Sequence, residues 1–257
     1  MELAYAADSK SAAARHEGSI PSARTIEILL RGNMERIAAY CGTRDVYSNI
    51  ITSVKALIAN SAVDEVHIFI EDDDMGEEMP NIVICHNISN QTYFKQDTPN
   101  MQQPDDYVKM MYMALCFELP YDSVLALTYD AIPQEDITKI WDIDLEDYYF
   151  SGAPIIRRST YSTTYCDFSV IYYNLAKLRD YKANECIDVL NHTFFPQKHQ
   201  DVCNYLCQGY IHTMPAKYNT NRFTNQNRYI PAIISFSDVP LKKWTNKGVV
   251  LKWAQMD

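Results

Sequence analysis

The chain has 257 residues, 47% hydrophobic and 22% charged, enough apolar material to bury a sizeable core in one large domain or one domain with a small annex. Seven glycines and eleven prolines exclude collagenous and low-complexity classes, and no apolar run reaches the roughly 18 residues that cross a bilayer. The formal charge of −10, from 33 acidic against 23 basic residues, argues against nucleic acid as a partner. Seven cysteines form no C-x-x-C pair, and the N-terminus lacks the order of a signal peptide, so a reducing cytoplasm fits best. Cys203 and Cys207 stand four apart on an expected helix, but no second pair of ligands completes a zinc set.

Residues 1–33 are rich in Ala, Ser and small polar residues, and they read as a disordered leader to one domain over residues 34–257. Gly18-Ser19-Ile20-Pro21 is also what the conserved arm of a transfer-RNA gene would encode, which sets the expectation that translation begins at Met34. From Arg36 onward strands and helices alternate. IAAYC (37–41) is a short apolar strand, residues 46–60 carry apolar side chains at helical spacing, and EVHIFIED (65–72) is a strand running into the acids Glu71 to Asp74. NIVICHNI (81–88) gives another strand, residues 105–119 a helix and SVLALTYD (123–130) a further strand, followed by the helix-like EDITKIWDIDL. This βαβ rhythm predicts an α/β fold, a mainly parallel sheet with helices on both faces. Ligands of such sheets bind outside the carboxyl ends of strands, which singles out the residues just after Cys41, Ile70 and Leu127. The later half holds an aromatic-rich stretch (145–173), a long helix over 175–191, a shorter one over 199–208, and a tail containing Pro and Asn.

Asp130 ends the strand VLAL as Thr128-Tyr129-Asp130, where its carboxylate would point into that crevice. Alone this is weak, because an Asp at a strand end is more often a turn former or a helix cap. Its surroundings add to it. VLALTYDAIPQEDITKIWDIDLEDYYFSGAP resembles the central segment of the family-eight glycosyltransferases, in which a strand ends in Asp-x-Asp and leads to a Trp-Asp-x-Asp-Leu run, here Trp141 to Leu145. Four further segments agree in order and spacing. AYCGTRDVY (39–47) is similar to the first strand and uridine-binding loop, and VDEVHIFIEDDD (63–74) to the second strand. CDFSVIYYNLAKLRD (166–180) is similar to Phe-Asn-x-Gly-Val followed by Asn-Leu-x-Lys-x-Arg, and HQDVCNYLCQGYIHTMPAKYN (199–219) to Asp-Gln-Asp and Leu-Pro-x-x-Tyr-Asn. The resemblance covers roughly residues 36–245.

The resemblance implies a Rossmann-like nucleotide-sugar transferase fold of the GT-A type, a UDP-hexose donor, a manganese or magnesium ion on the diphosphate, and transfer with retention of configuration to a glycan, lipid or protein acceptor. By position it assigns Thr43, Arg44 and Tyr47 to the nucleotide, Thr128 and Asp130 to the diphosphate with Asp130 on the metal, Asp167 and Gln200 to the sugar pocket, and Lys242 to the leaving phosphate. Several positions depart from the pattern. The first Asp of Asp-x-Asp is Thr128, the His expected as third metal ligand falls on Ser235 or Phe236, and a cation expected on the preceding helix is Phe117. The first acid of Asp-Gln-Asp is His199. Two alternatives follow: an inactive binding module on this fold, or a metal-independent transferase that uses cations such as Arg157, Arg158 or Lys242.

Overall fold

The structure is a computed structural model that describes residues 35–95, 97–155, 164–221 and 230–236. Its strands are β1 (Ile37–Cys41), β2 (Glu65–Ile70), β3 (Val83–Asn87), β4 (Ser123–Leu127), β5 (Ala131–Pro133), β6 (Phe150–Pro154), β7 (Cys166–Asn174), β8 (Ile211–Thr213) and β9 (Ile233–Ser235). Its α-helices are α1 (Tyr47–Asn60), α2 (Pro104–Glu118), α3 (Leu175–Tyr181), α4 (Ala183–His192) and α5 (His199–Leu206). Seven strands form one sheet in the order β3-β2-β1-β4-β7-β6-β8, and β5 pairs with β9 in a separate ribbon. β1 is parallel to β2 and β4, β2 to β3, and β6 to β8, whereas β7 runs antiparallel to β4 and β6. The sheet is thus mainly parallel and Rossmann-like, as the alternation of elements predicts.

Strands buried on both faces read as continuous apolar runs, which is why IAAYC and SVLAL lack alternation. On one face Tyr40 of β1, Leu125 and Leu127 of β4 and Tyr172 of β7 share a core with Ile50, Val54 and Leu57 of α1. On the other, α2 is pinned to β1: the Tyr112 hydroxyl donates to the Ala39 carbonyl at 2.9 Å, and the Cys41 thiol to the Val108 carbonyl at 3.1 Å. Trp141 belongs to the first of these cores, with its Nε1 donating to the Ile37 carbonyl at 3.2 Å. Truncating a buried Trp to Ala costs roughly 3–5 kcal/mol.

Two elements differ from expectation. The segment after Pro133 forms only a 3-10 turn, Thr138–Ile140, because the Asp136 carboxylate accepts the Thr138 amide at 2.9 Å and the Ile137 amide is tied to Ser61 Oγ at 3.0 Å. The helix expected over 175–191 breaks at Lys182, where φ is −130° and ψ −22°. That turn lets α3 pack on β4 and β7 while α4 packs on α2 and α5. Apolar periodicity alone does not report such a change of direction. Residues 1–33, Arg157, Arg158 and Lys242 lie outside the described residues. Among the described residues no helix is long and apolar enough to cross a membrane.

After β1 the chain steps outward to β2 and β3, then returns over α2 to place β4 on the opposite side of β1. The loops that leave the carboxyl ends of β1 and β4 therefore part company, and a crevice opens between them.

Candidate functional site

A cleft of about 590 Å³ occupies this switch point, within the size range of small-ligand sites. Cys41 to Thr43 and Leu127 to Tyr129 supply the strand ends, Ser169 comes from β7, Val108, Lys109 and Tyr112 from α2, and residues 196–200 from the segment that leads into α5. Gly42 packs closely, since a Cβ there would stand 2.6 Å from Val46 Cγ2 and 2.8 Å from Ile50 Cδ1 and one of these side chains would have to shift. Cys41 is no candidate nucleophile: burial pushes its thiol far above the usual range, and the thiol is bonded to Val108.

The β4 wall is a corner of hydroxyls. The Thr128 amide donates to the Ser169 carbonyl at 3.0 Å, and its hydroxyl donates to Asp130 Oδ1. Asp130 is buried, and its carbonyl accepts the Phe236 amide at 3.0 Å. The β5–β9 ribbon sets Ala131 opposite Ser235, so the two positions suggested for a third metal ligand, Ser235 and Phe236, do lie beside Asp130. A divalent cation needs several hard donors converging on one point. Here one carboxylate receives a threonine hydroxyl and a serine replaces the imidazole. No His follows His212 in the sequence, and among the described residues no three His, Cys, Asp or Glu converge. The donor set does not fit the metal centre that the resemblance implies.

The opposite wall carries nitrogen. Lys109, Lys198 and His199 line the cleft there together with Asp106. The Asp106 carboxylate closes the capping box of α2, accepting the Gln103 amide at 3.0 Å, and lies 3.6 Å from the Lys198 ammonium. His199 Nδ1 is buried without a hydrogen-bond partner, and the ring meets Phe168 edge-on at 5.7 Å. Burial, and then the charge of Lys109, hold this imidazole down to about 4 against the pull of Asp201, so it is neutral at physiological pH.

Of the residues assigned from sequence, the structure brings Thr43, Thr128 and Gln200 to the cleft. The Gln200 amide is fixed at both ends: its Oε1 accepts the Phe168 amide at 3.2 Å, and its Nε2 donates to the Tyr165 hydroxyl at 3.0 Å. Asp130 stands behind Thr128. Asp167 does not line the cleft; its Oδ1 accepts the Ser169 amide at 2.8 Å and Asn219 Nδ2 at 3.2 Å. Arg44 and Tyr47 both engage Asp72 at the end of β2, Tyr47 as a buried core residue with its hydroxyl 2.8 Å from that carboxylate. The Arg44 guanidinium, and then Tyr47, hold Asp72 below the usual carboxylate range. Phe117 is buried edge-on to Tyr173 and does not line the cleft, and α2 contributes a cation there from Lys109, about two turns earlier. Ser169 stands where the resemblance expects the Gly of Phe-Asn-x-Gly, whereas Lys109 and Lys198 were not singled out from sequence, since an isolated Lys on or beside an expected helix carries no local signal.

No protein-family model matches the chain, and no curated protein matches it by sequence. Solved structures do match. A complex of the galactosyltransferase LgtC with donor and acceptor sugar analogues aligns with a TM-score of 0.58 at 14% identity, covering 78% of this chain and 86% of that one. The glycosyltransferase GlyE of Streptococcus pneumoniae TIGR4 aligns with a TM-score of 0.60 at 16% identity, over 84% of this chain and 57% of GlyE. Mouse xyloside xylosyltransferase 1 aligns with a TM-score of 0.54 at 10% identity, over 80% and 98%. The fold of this chain is that of the GT-A glycosyltransferases.

Proposed function

We propose that the cleft binds a UDP-hexose and that the protein transfers the hexosyl group, with retention of configuration, to a glycan, lipid or protein acceptor in the cytoplasm. The observation that carries this reading is the gathering of Thr43, Thr128, Ser169, His199 and Gln200 around one cleft at the switch point of the sheet. These are uncharged groups suited to sugar hydroxyls. The likeness to LgtC, solved with donor and acceptor sugar analogues, supports it further.

In a retaining transfer the bond from the anomeric carbon to the diphosphate breaks, the bond to the acceptor oxygen forms on the same face, and the acceptor proton passes to the departing diphosphate. Such chemistry asks the protein to hold and shield the reactants rather than to supply a strong base. A neutral His199 and an Asp167 committed to Ser169 and Asn219 accord with that requirement. Gln200, anchored through Phe168 and Tyr165, keeps one N–H and one lone pair for a sugar hydroxyl. Asp130 and Asp167 act as positioning residues, the first for Thr128 and the second for Ser169.

A second reading, a binding module without catalysis, is favoured by Thr128 and Ser235 standing where carboxylate and imidazole were expected. The test is UDP release from UDP-glucose and UDP-galactose in the presence of simple glycosides. Release that is lost in Gln200→Ala supports the transferase, binding without release supports the module, and absence of binding contradicts both.

A further inference from the structure

We infer that the cleft receives the diphosphate of its ligand without a divalent cation, the ammonium groups of Lys109 and Lys198 meeting the charge. This rests on the donor reading above and specifies how that donor is held.

The β4 wall cannot assemble a metal centre from Thr128, Asp130 and Ser235, so a dianionic diphosphate needs its positive partner from elsewhere. The opposite wall offers two cations from separate elements, Lys109 from α2 and Lys198 from the residue before α5. Lys198 is held there at a backbone cost. Its φ of +49° with ψ −125° makes it the one non-glycine among the described residues in positive φ, a conformation that persists only where its surroundings enforce it. Its side chain is 13% exposed, and its ammonium stands 3.6 Å from Asp106 Oδ2. That oxygen already accepts the amides of Gln102 and Gln103 at 3.3 and 3.0 Å, so it neutralises Lys198 only in part. Asp45, which also lines the cleft, receives the Thr43 hydroxyl. His199 adds a buried nitrogen without a partner on the same wall. Burial first, and then the nearby charge of Lys109, keep that imidazole from taking up a proton. Two ammonium groups placed in this way would bind the diphosphate and stabilise the charge that grows on it as the anomeric bond breaks, with no proton transferred from either lysine.

The experiment is calorimetric titration of UDP, UDP-glucose and uridine into the full chain, in chelator and in manganese. It compares the wild type with Lys109→Gln, Lys198→Gln and the double variant, with thermal melts to confirm folding. UDP is expected to bind equally in chelator and in manganese. Each single variant should weaken UDP by about ten- to a hundredfold while uridine binding stays the same. Binding of UDP only with manganese overturns the inference and leaves the donor reading standing. Chelator-resistant binding that the lysine variants do not weaken, or a parallel loss of uridine, overturns the assignment to these lysines. No binding of UDP in either condition brings down the donor reading and this inference together. Should Lys198→Gln fail to fold, Lys109→Gln, at an exposed helix position, decides alone.

Discussion

The β4–β9 wall of the cleft and the α2–α5 wall face the same space with different chemistry. On the first, Asp130 is buried under the Thr128 hydroxyl, with Ser235 on the neighbouring strand. On the second, Lys109, Lys198 and the neutral His199 line the cleft, with Lys198 paired to Asp106. The strand order fixes where the cleft lies, yet leaves open which wall carries the charge. Here the wall made by the helices carries Lys109 and Lys198, and the corner around Asp130 carries hydroxyls about one carboxylate.

The largest change expected from a substitution is one that reverses this arrangement. Thr128→Asp combined with Ser235→His would restore three ligands around the Asp130 corner. In chelator the added buried charge should cost roughly 3 kcal/mol. Manganese should then raise the melting temperature of the variant and leave the wild type unmoved. Differential scanning calorimetry in both media reads this directly.

The helical wall is tested next through pH. The folded-state value of about 4 for His199 lies below the unfolded value near 6.5. Below about pH 6.5 the unfolded chain takes up a proton that the folded chain refuses, so this contribution is complete above that pH and is lost as pH falls toward 4. It amounts to a few kcal/mol, on the order of 2–3. His199→Gln should flatten the fall in stability between pH 7 and 4.5, measured by urea unfolding against the wild type. An unchanged slope would mean that this imidazole is not held neutral.

Asn204 joins the two walls. Its Oδ1 accepts the Cys166 amide at 2.7 Å and its Nδ2 donates to the Cys166 carbonyl at 3.0 Å, clamping the start of β7 to α5. Asn204→Ala leaves buried main-chain groups unpaired and should cost about 2 kcal/mol in denaturant unfolding. The smallest effect belongs outside the cleft. Arg44→Ala removes a solvent-exposed pair with Asp72 and should change neither melting temperature nor UDP affinity measurably. A loss of UDP affinity in that variant would extend the nucleotide end of the site outward to β2.

Much of the fold was legible in the sequence because uninterrupted apolar runs such as IAAYC and SVLAL are what doubly covered strands require. The location of the cleft followed from the alternation of elements, and the neighbourhood of Asp130 with Ser235 and Phe236 from the order of motifs. The break at Lys182 and the 3-10 turn after Asp136 were not legible, since tertiary packing and a side-chain turn decided them. Thr43, Thr128 and Gln200 reach the cleft because they follow the ends of β1 and β4 or open α5. The absence of Asp167 and Tyr47 from the cleft lining was not legible, because a sequence does not reveal that Ser169 and Asn219 meet Asp167 Oδ1 or that Asp72 meets the Tyr47 hydroxyl. Lys109 and Lys198 become visible only when α2 and the start of α5 are seen to share a wall.

The most direct measurement is photo-crosslinking with 5-azido-UDP-glucose followed by peptide mapping, in chelator. The account predicts label on the cleft segments within residues 41–47, 127–129 or 196–200, competed away by UDP. Label confined to other surfaces, or label that UDP does not displace, would contradict the placement of a donor site in this cleft.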